Sequence, residues 1–388
     1  MRMGEDLKVL HAPRQVIDAN MSLSLVRVEA ALVRTKISTP VRTSFGVMND
    51  RPTLIVRVTD QSGARGYGEV WCNFPVCGAS HRLKLIETEL APRLEGKAFA
   101  SPADCFAAMK DGLRILRLQT GEPGPVAQIV AGVDIAIWDM LARRAALPVY
   151  ALLGSERNEI PAYASGINPI GVLDTVAAAR ARGHRTFKVK VGFGNETDRE
   201  NVRALASDMG PDEAFMLDAN QGWSPVEARA AMEWISPFRP LWIEEPMPVD
   251  VPEADWFALK SSTNVPIAGA ENFLTGADYE AVIARKWLDV VQPDIAKWGG
   301  FTGCTPVARG VVAAGLNYCP HSLGGGVALA ASAHLLAAAG GPGRLECDAN
   351  ENAFRDEVFD LPLNEGIVTL SDGPGLGIDT AVLDAAFG

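Results

Sequence analysis

Seven polar residues that could do chemistry recur along the second half of the chain at nearly regular spacing. They stand at or just after the ends of short apolar segments: Lys190, Asp218, Glu244, Glu271, Asp294, His321 and Glu346. Successive members are 28, 26, 27, 23, 27 and 25 residues apart. Each interval accommodates one strand and one helix, so a barrel of parallel strands would bring all seven to one rim, where barrel active sites lie. One such residue alone is usually a loop residue or a helix cap, but seven in series indicate a catalytic site.

Three of the seven are carboxylates on successive predicted strands, Asp218, Glu244 and Glu271. Three anions gathered at one rim repel one another unless a cation lies between them, and hard oxygen ligands favour Mg²⁺. We therefore predict a Mg²⁺ site. Because the parity of the short strand that ends at Glu244 is not fixed by its sequence, Glu245 is an alternative to Glu244 as the ligand from that strand.

Two lysines and a histidine complete the predicted chemistry. Lys188 and Lys190 are two residues apart on one strand and so point to the same face. One ammonium beside another, near Mg²⁺, would draw a lysine pKa from ~10.4 toward the ~7 to 8 that suits a general base. His321 and Asp294 end neighbouring strands, and a carboxylate on one imidazole nitrogen leaves the other nitrogen free to move a proton. Glu346 could donate a hydrogen bond or orient its neighbours.

These groups together predict the removal of a proton next to a carboxylate. Mg²⁺ and Lys188 would bind and neutralise the substrate carboxylate. Lys190 and His321 would stand on opposite faces of the α-carbon, and one of them would abstract its proton to give an enediolate.

The elements that must position these residues follow from the hydrophobic pattern. From residue 160 onward short apolar strands alternate with Ala-rich helices, which is typical of a parallel sheet. Eight strands are predicted, the number in one barrel: Pro161–Ser165, Thr186–Lys190, Phe215–Asp218, Leu241–Glu244, Pro266–Gly269, Leu288–Asp294, Asn317–His321 and Arg344–Asp348. One helix start is explicit, the capping box Ser224-Pro225-Val226-Glu227. Strand-like segments at 25–30 and 53–58, followed by helices, indicate a small α+β domain in front.

Composition limits the class of protein. The chain has 388 residues, of which 48% are hydrophobic and 21% charged, as expected for a folded protein of two domains. No segment approaches the ~18 apolar residues of a membrane span, and residues 1–20 do not resemble a secretory signal, so we expect a cytoplasmic protein. The six cysteines form no C-x-x-C pair, which argues against a zinc cluster or a disulfide framework. The net charge of -11 argues against a nucleic-acid partner.

With these residues in this order, the chain resembles the enolase superfamily, in its mandelate racemase subgroup. The resemblance covers residue 22 to the end, and its order and spacing match together. It rests on these segments: Phe187-Lys188-Val189-Lys190, Leu217-Asp218-Ala219-Asn220-Gln221-Gly222-Trp223, Trp242-Ile243-Glu244-Glu245-Pro246, Ala270-Glu271-Asn272, Gln292-Pro293-Asp294, Pro320-His321 and Leu345-Glu346. One departure is Ala270, where the family commonly has glycine; we expect it to matter little.

The resemblance implies an α/β fold, a modified TIM barrel of the (β/α)7β type with an N-terminal α+β capping domain. Flexible loops of that domain, expected near 43–50 and 69–74, would close over the barrel mouth and select the substrate. We predict a flexible extension at 1–21, the capping domain at 22–155, the barrel at 156–350, and a C-terminal segment at 351–388 that packs back on the capping domain. The family is usually oligomeric, so we expect a homo-oligomer.

The resemblance also implies the roles of individual residues. It favours Glu244 over Glu245, and so predicts three Mg²⁺ ligands: Asp218, Glu244 and Glu271. The predicted catalytic residues are Lys190, His321, Asp294, Lys188 and Glu346. The predicted substrate-binding residues are Asn220, Thr43, Phe45 and Trp71, with Phe74 in the same apolar lid.

The residues do not fix which reaction follows proton abstraction. We favour dehydration of a sugar acid to a 2-keto-3-deoxy acid, since dehydration is the most frequent outcome on this set of residues in the family. A racemase or epimerase of an α-substituted acid is the alternative. Lys297, three residues after Asp294, lies close to where the muconate cycloisomerase subgroup carries a catalytic lysine, which leaves a cycloisomerase or dipeptide epimerase open, although those enzymes lack the His321 dyad. A barrel that only binds an acid is a further possibility. The sequence does not name the substrate or its stereochemistry.

Overall fold

The computed structural model describes residues 21–43 and 46–388, and for Arg42 and Thr43 the backbone alone. The predicted extension, apart from Met21, therefore lies outside the described residues, and so does Phe45 of the predicted lid.

The front of the chain forms an antiparallel sheet with helices on one side. Its strands are β1 (Leu23–Thr43), β2 (Gly46–Asp60), β3 (Arg65–Val70) and β4 (Lys97–Phe99), in the order β3-β2-β1-β4. Its helices are α1 (Gly78–Leu85), continued by a π-helical turn (Ile86–Leu90), α2 (Ala91–Leu94), α3 (Pro102–Gly112), α4 (Arg114–Thr120), α5 (Pro123–Arg144) and α6 (Val149–Leu152). In the segment near 43–50, expected as a loop, Thr43 instead ends β1 and residues 46–50 belong to β2, which pairs antiparallel with β1.

Helix α5 is the core helix of this front domain. By length and composition it could cross a membrane, but 83% of its most apolar stretch is buried inside the protein, as in a core helix. Strand β3 lies directly against it because Gly66 and Gly68 have no side chain; a Cβ atom at either position would overlap the α5 backbone.

Within residues 159–348, all of which the structure describes, eight parallel strands alternate with seven helices. The strands are β5 (Glu159–Ile167), β6 (Thr186–Lys190), β7 (Ala214–Asp218), β8 (Ile243–Glu244), β9 (Ile267–Gly269), β10 (Val290–Val291), β11 (Asn317–Tyr318) and β12 (Leu345–Asp348). The helices between them are α7 (Val172–Ala181), α8 (Asn195–Asp208), α9 (Pro225–Ile235), α10 (Glu253–Ser261), α11 (Gly276–Arg285), α12 (Gly300–Ala313) and α13 (Gly326–Ala339). Helix α9 is followed by a 3₁₀ turn (Ser236–Phe238) and begins with the predicted capping box at Ser224.

The strands are arranged as in the predicted (β/α)7β barrel. Backbone pairing runs from β12 through β5 to β11. The ends of β11 and β12 meet through two further contacts: Ser322 N donates to Glu346 Oε2 (3.1 Å) and Arg344 N to Cys319 Sγ (3.4 Å). Some strands are shorter than predicted at their C-terminal ends; β10, for example, ends at Val291 rather than Asp294. The backbone there turns into the loops that carry the site.

The C-terminal segment contacts both domains. It contains α14 (Ala353–Val358), β13 (Leu363–Asn364), β14 (Ile367–Thr369) and α15 (Thr380–Ala385). Strand β14 pairs antiparallel with β5, and Asp384 of α15 forms an ion pair with Arg57 of β2 (2.8 Å). The predicted boundaries 22–155, 156–350 and 351–388 remain our proposal for the domains.

Candidate active site

Three buried carboxylates lie together at the C-terminal ends of the strands. Asp218 ends β7, Glu244 ends β8, and Glu271 follows β9 by two residues. Burial raises the pKa of Glu244 to about 7, against the attraction of Lys188 and assisted by the repulsion of Asp218, Glu346 and Glu271. Burial also raises the pKa of Asp218. The mutual repulsion indicates a site that favours additional positive charge.

Glu245, the alternative to Glu244, points elsewhere. Its carboxylate accepts hydrogen bonds from Gln221 Nε2 (3.0 Å) and Asn272 Nδ2 (3.0 Å). Glu244 accepts instead from Lys188, which lies inside the barrel. The side chains of these adjacent residues therefore diverge, and Glu244 is the one directed to Lys188.

The backbone is strained where these strands end. Asn220, Gln221, Glu245 and Ala270 have φ of 42°, 63°, 38° and 90°. Residues other than glycine rarely adopt such angles, and strain of this kind persists at functional sites. Contrary to our expectation that alanine at position 270 matters little, a φ of 90° suits glycine and carries a conformational cost for alanine.

The two lysines of β6 have different partners. Lys188 Nζ lies between Glu244 Oε1 (2.5 Å) and Glu346 Oε1 (2.7 Å). Burial lowers the pKa of Lys188, but the carboxylates outweigh it and raise the pKa well above the ordinary value. The lowering expected for a lysine of this pair beside Mg²⁺ is not found at Lys188. Lys190 Nζ donates to Asn220 Oδ1 (2.9 Å), whose Nδ2 donates to Asp218.

The predicted histidine dyad is formed. His321 Nδ1 lies 2.7 Å from Asp294 Oδ2, and the other oxygen of Asp294 accepts from the backbone N–H groups of Ala296 and Lys297. His321 Nε2 lies 2.8 Å from Glu271 Oε2. Burial lowers the pKa of His321, but the surrounding carboxylates, Glu271 first among them, raise it well above 6.5.

The donor set fits Mg²⁺, although its oxygen atoms are engaged with other side chains. Within residues 21–43 and 46–388 no three acidic, histidine or cysteine side chains stand ready to share one metal ion. Glu244 accepts from Lys188 and from Gln292 Nε2 (2.6 Å), while Glu271 accepts from Lys297 Nζ (2.8 Å) and contacts His321. Three buried carboxylates offer the oxygen donors that Mg²⁺ prefers, and a divalent cation would relieve their repulsion.

A cavity of about 1090 Å³, open to solvent, lies between the carboxylates, lysines and histidine of the barrel and the capping domain. Two of the predicted substrate-binding residues, Asn220 and Trp71, line it from opposite domains. The ammonium group of Lys297 lies 4.8 Å from the centre of the Trp71 ring. The capping domain therefore reaches the barrel loops through an aromatic ring stacked on a cation.

Of the other three residues of the predicted lid, the structure describes the side chain of Phe74 but not those of Thr43 and Phe45. Phe74 lines the cavity mouth and is 53% exposed. The side chain of Thr43 is not described and Phe45 lies outside the described residues, so a role in substrate binding stays a prediction for both.

Ser165 is a polar residue of the cavity wall that was not predicted from the sequence. It lies on β5, and its Oγ is buried without a hydrogen-bond partner. Its position at the end of the first predicted strand, which matches that of the seven residues on the later strands, could have indicated a place in the site. A small hydroxyl residue on a strand is too common for that position alone to indicate a site.

The chain matches two family models and several known proteins. Residues 26–154 match the mandelate racemase / muconate lactonizing enzyme N-terminal domain, and residues 172–384 match the enolase C-terminal domain-like family. D-galactarolactone cycloisomerase of Agrobacterium fabrum is 29% identical over 92% of this chain and 96% of its own length. Arabinonate dehydratase of Saccharolobus solfataricus is 28% identical over 82% and 86%.

Solved structures agree in fold over nearly the whole chain. A mandelate racemase/muconate lactonizing enzyme from Bordetella bronchiseptica RB50 is 48% identical, with a TM-score of 0.89 over 94% of this chain and 99% of its own. An enolase from Bradyrhizobium, complexed with magnesium and mandelic acid, is 30% identical, with a TM-score of 0.81 over 94% and 98%. The chain therefore belongs to the mandelate racemase/muconate lactonizing enzyme family of the enolase superfamily and is an enzyme of that superfamily.

Proposed function

We propose that the protein uses Mg²⁺ to remove the α-proton of a carboxylate substrate and that it dehydrates a sugar acid to a 2-keto-3-deoxy acid. The observation that carries this proposal is that Lys190 and His321 line the same cavity as Asp218 and Glu271. Two groups able to move protons thus share one cavity with the carboxylates that suit a divalent cation.

Asp218, Glu244 and Glu271 would hold the Mg²⁺, which when bound supplies positive charge that stabilises an enediolate form of the substrate. Glu271 would exchange its contacts with Lys297 and His321 for the cation. Lys188, held by Glu244 and Glu346, would neutralise the substrate carboxylate.

The two bases have distinct roles in this proposal. Lys190, oriented by Asn220, would remove or return a proton at the α-carbon from one side. His321 would act from the other side through Nε2, because Nδ1 is engaged by Asp294. In dehydration His321 would also protonate the departing β-hydroxyl, so that water leaves.

Two polar atoms of the cavity wall support a hydroxylated substrate. Ser165 Oγ and Trp71 Nε1 are buried and have no hydrogen-bond partner. Buried polar groups are normally satisfied, so hydroxyl groups of a sugar acid would supply the missing partners. The relative named for arabinonate is in keeping with this substrate class.

A racemase or epimerase is the second candidate, favoured by the apolar rim of the cavity. Val47, Phe74 and Val76 line it and are 43%, 53% and 88% exposed. Such a rim suits an acid with an apolar substituent, for which the two bases would exchange the proton between faces. Lys297 also lines the cavity, so a cycloisomerase stays open. We further propose a cytoplasmic homo-oligomer.

The test is a screen of mono- and diacid sugars, with mandelate as the racemase probe, in deuterated water with Mg²⁺. A dehydratase yields a 2-keto-3-deoxy acid, whereas a racemase yields deuterium in the recovered acid. Lys190→Ala and His321→Asn should abolish turnover of any hit, while Lys84→Ala and His81→Asn, at positions outside the cavity, should retain it. Full activity in both site variants would refute the assignment of the bases, and no turnover of any acid by the native protein would refute the proposal.

A further inference from the structure

Two acidic residues of the front domain contact the starts of two barrel helices. Glu69 lies near the end of β3 and is 2% exposed, and Asp134 lies in the middle of α5 and is fully buried. Each carboxylate accepts backbone N–H groups from the first turn of a different barrel helix. Neither residue lines the cavity that holds the proposed catalytic groups.

Glu69 holds the start of α13. Its Oε2 accepts from Ala328 N (3.0 Å), and its Oε1 accepts from Gly325 N. A Cβ atom at Gly324 or Gly325 would lie 2.8 or 2.9 Å from the carboxylate oxygens. The glycines after His321 therefore make room for an acidic residue of the same chain.

Asp134 holds the start of α12 in the same way. Its Oδ2 accepts from Thr302 N (2.9 Å) and its Oδ1 from Thr302 Oγ1 (2.6 Å). A Cβ atom at Gly300, the first residue of α12, would overlap Asp134. Both contacts place a carboxylate at a helix N-terminus, where unpaired N–H groups and the helix dipole favour negative charge.

These two helices follow the two members of the dyad. Helix α12 begins six residues after Asp294, and α13 begins five residues after His321. Two further contacts tie the segment after β3 to the same loops: Asn73 Nδ2 donates to Leu323 O (2.5 Å) and Trp71 N to Ala296 O (3.3 Å). Each dyad loop is thus fixed between its strand and a helix start held by the front domain.

We propose that Glu69 and Asp134 are positioning residues that hold His321 and Asp294 in register for proton transfer. The inference rests on the proposed function. Burial raises the pKa of both carboxyl groups to about 7, although the groups at the helix starts that donate to them lower it. Asp294 further raises the pKa of Glu69 and Arg51 lowers it. Burial first and the charge of Asp134 second raise the pKa of the Cys105 thiol, and Asp134 also adds to the raised pKa of Cys304.

The direct test is hydrogen–deuterium exchange of the full chain, measured by mass spectrometry on peptides that cover the starts of α12 and α13. Glu69→Ala should speed exchange ~10-fold at 325–328 alone, and Asp134→Ala at 300–303 alone, because each removes the side chain that accepts from the N–H groups of that helix start. Asp134→Asn should exchange as slowly as the native chain at 300–303, because its amide oxygen can still accept from Thr302 N and its amide nitrogen can donate to the Thr302 hydroxyl. The matched control is Asp139→Ala. Asp139 is another buried acid of α5, but it accepts from Tyr67 N and Leu376 N, so its loss should not change exchange in either peptide.

The second readout is proton transfer with a hit from the acid screen. Both alanine variants should lower kcat ~10- to 100-fold with little change in KM, and should slow deuterium exchange on the His321 face more than on the Lys190 face, since misplacement affects one base. Uniform exchange changes, no local change, or local changes without a loss in kcat would overturn the inference. If Glu69→Ala does not fold, Glu69→Gln replaces it, because only one side-chain oxygen then remains to accept from the two N–H groups. If Asp134→Ala does not fold, Thr302→Val replaces it, because it removes the hydroxyl that donates to Asp134. If the native protein turns over no acid, the proposed function fails, while the exchange data still decide whether the two acids hold the loops.

Discussion

The replacement Asp134→Asn should change how the stability of the protein depends on pH. Burial raises the pKa of Asp134 from 3.8 to about 7. A carboxyl group with a raised pKa in the folded state binds its proton more tightly there than in the unfolded chain. Its contribution to stability is therefore fully present below about pH 4 and is lost as pH rises through about 7. At ~1.4 kcal/mol per pH unit, this interval corresponds to roughly 4 kcal/mol of unfolding free energy.

Asparagine removes this dependence because it does not ionise and can still bond Thr302. We expect the unfolding free energy of Asp134→Asn, relative to the native chain, to rise by ~3 kcal/mol between about pH 4.5 and about pH 8. Urea unfolding followed by tryptophan fluorescence at several pH values measures this difference. Asp212→Asn, at an exposed position, controls for the loss of one acid. A difference that stays constant across the pH range would show that burial does not raise the pKa of Asp134, and the reasoning would be wrong.

Three further outcomes are expected. Lys188→Met should destabilise the protein by ~3 to 5 kcal/mol in urea unfolding without Mg²⁺, because Glu244 and Glu346 lose the cation between them; an unchanged midpoint would contradict this. Ala270→Gly should raise stability by ~1 kcal/mol in the same assay, since glycine adopts a φ of 90° without strain, and a loss of stability would count against that account. Millimolar MgCl₂ should raise the melting temperature of the native protein but not of Asp218→Asn, and equal shifts for both would exclude Asp218 as a ligand.

Much of the fold could be predicted because its signals are local. The alternation of short apolar strands with helices is a property of neighbouring residues, and so is the two-residue spacing that sends Lys188 and Lys190 to one face of β6. The dyad of His321 and Asp294 followed from the same logic, since residues at the ends of adjacent parallel strands meet. Lys188 itself shows the limit, because its pKa follows two carboxylates on distant strands and not the neighbouring lysine.

The sequence by itself determined the order of strands and the kinds of groups at their ends, because strand and helix periodicities act over a few residues. Only the tertiary structure decided which cation lies against which carboxylate and which acids hold the dyad loops. Glu69 and Gly325 are 256 residues apart in the chain, and β3, which carries Glu69, packs closely on α5 where its glycines leave room. Contacts of that range depend on the distance between whole elements, which no local pattern of residues records.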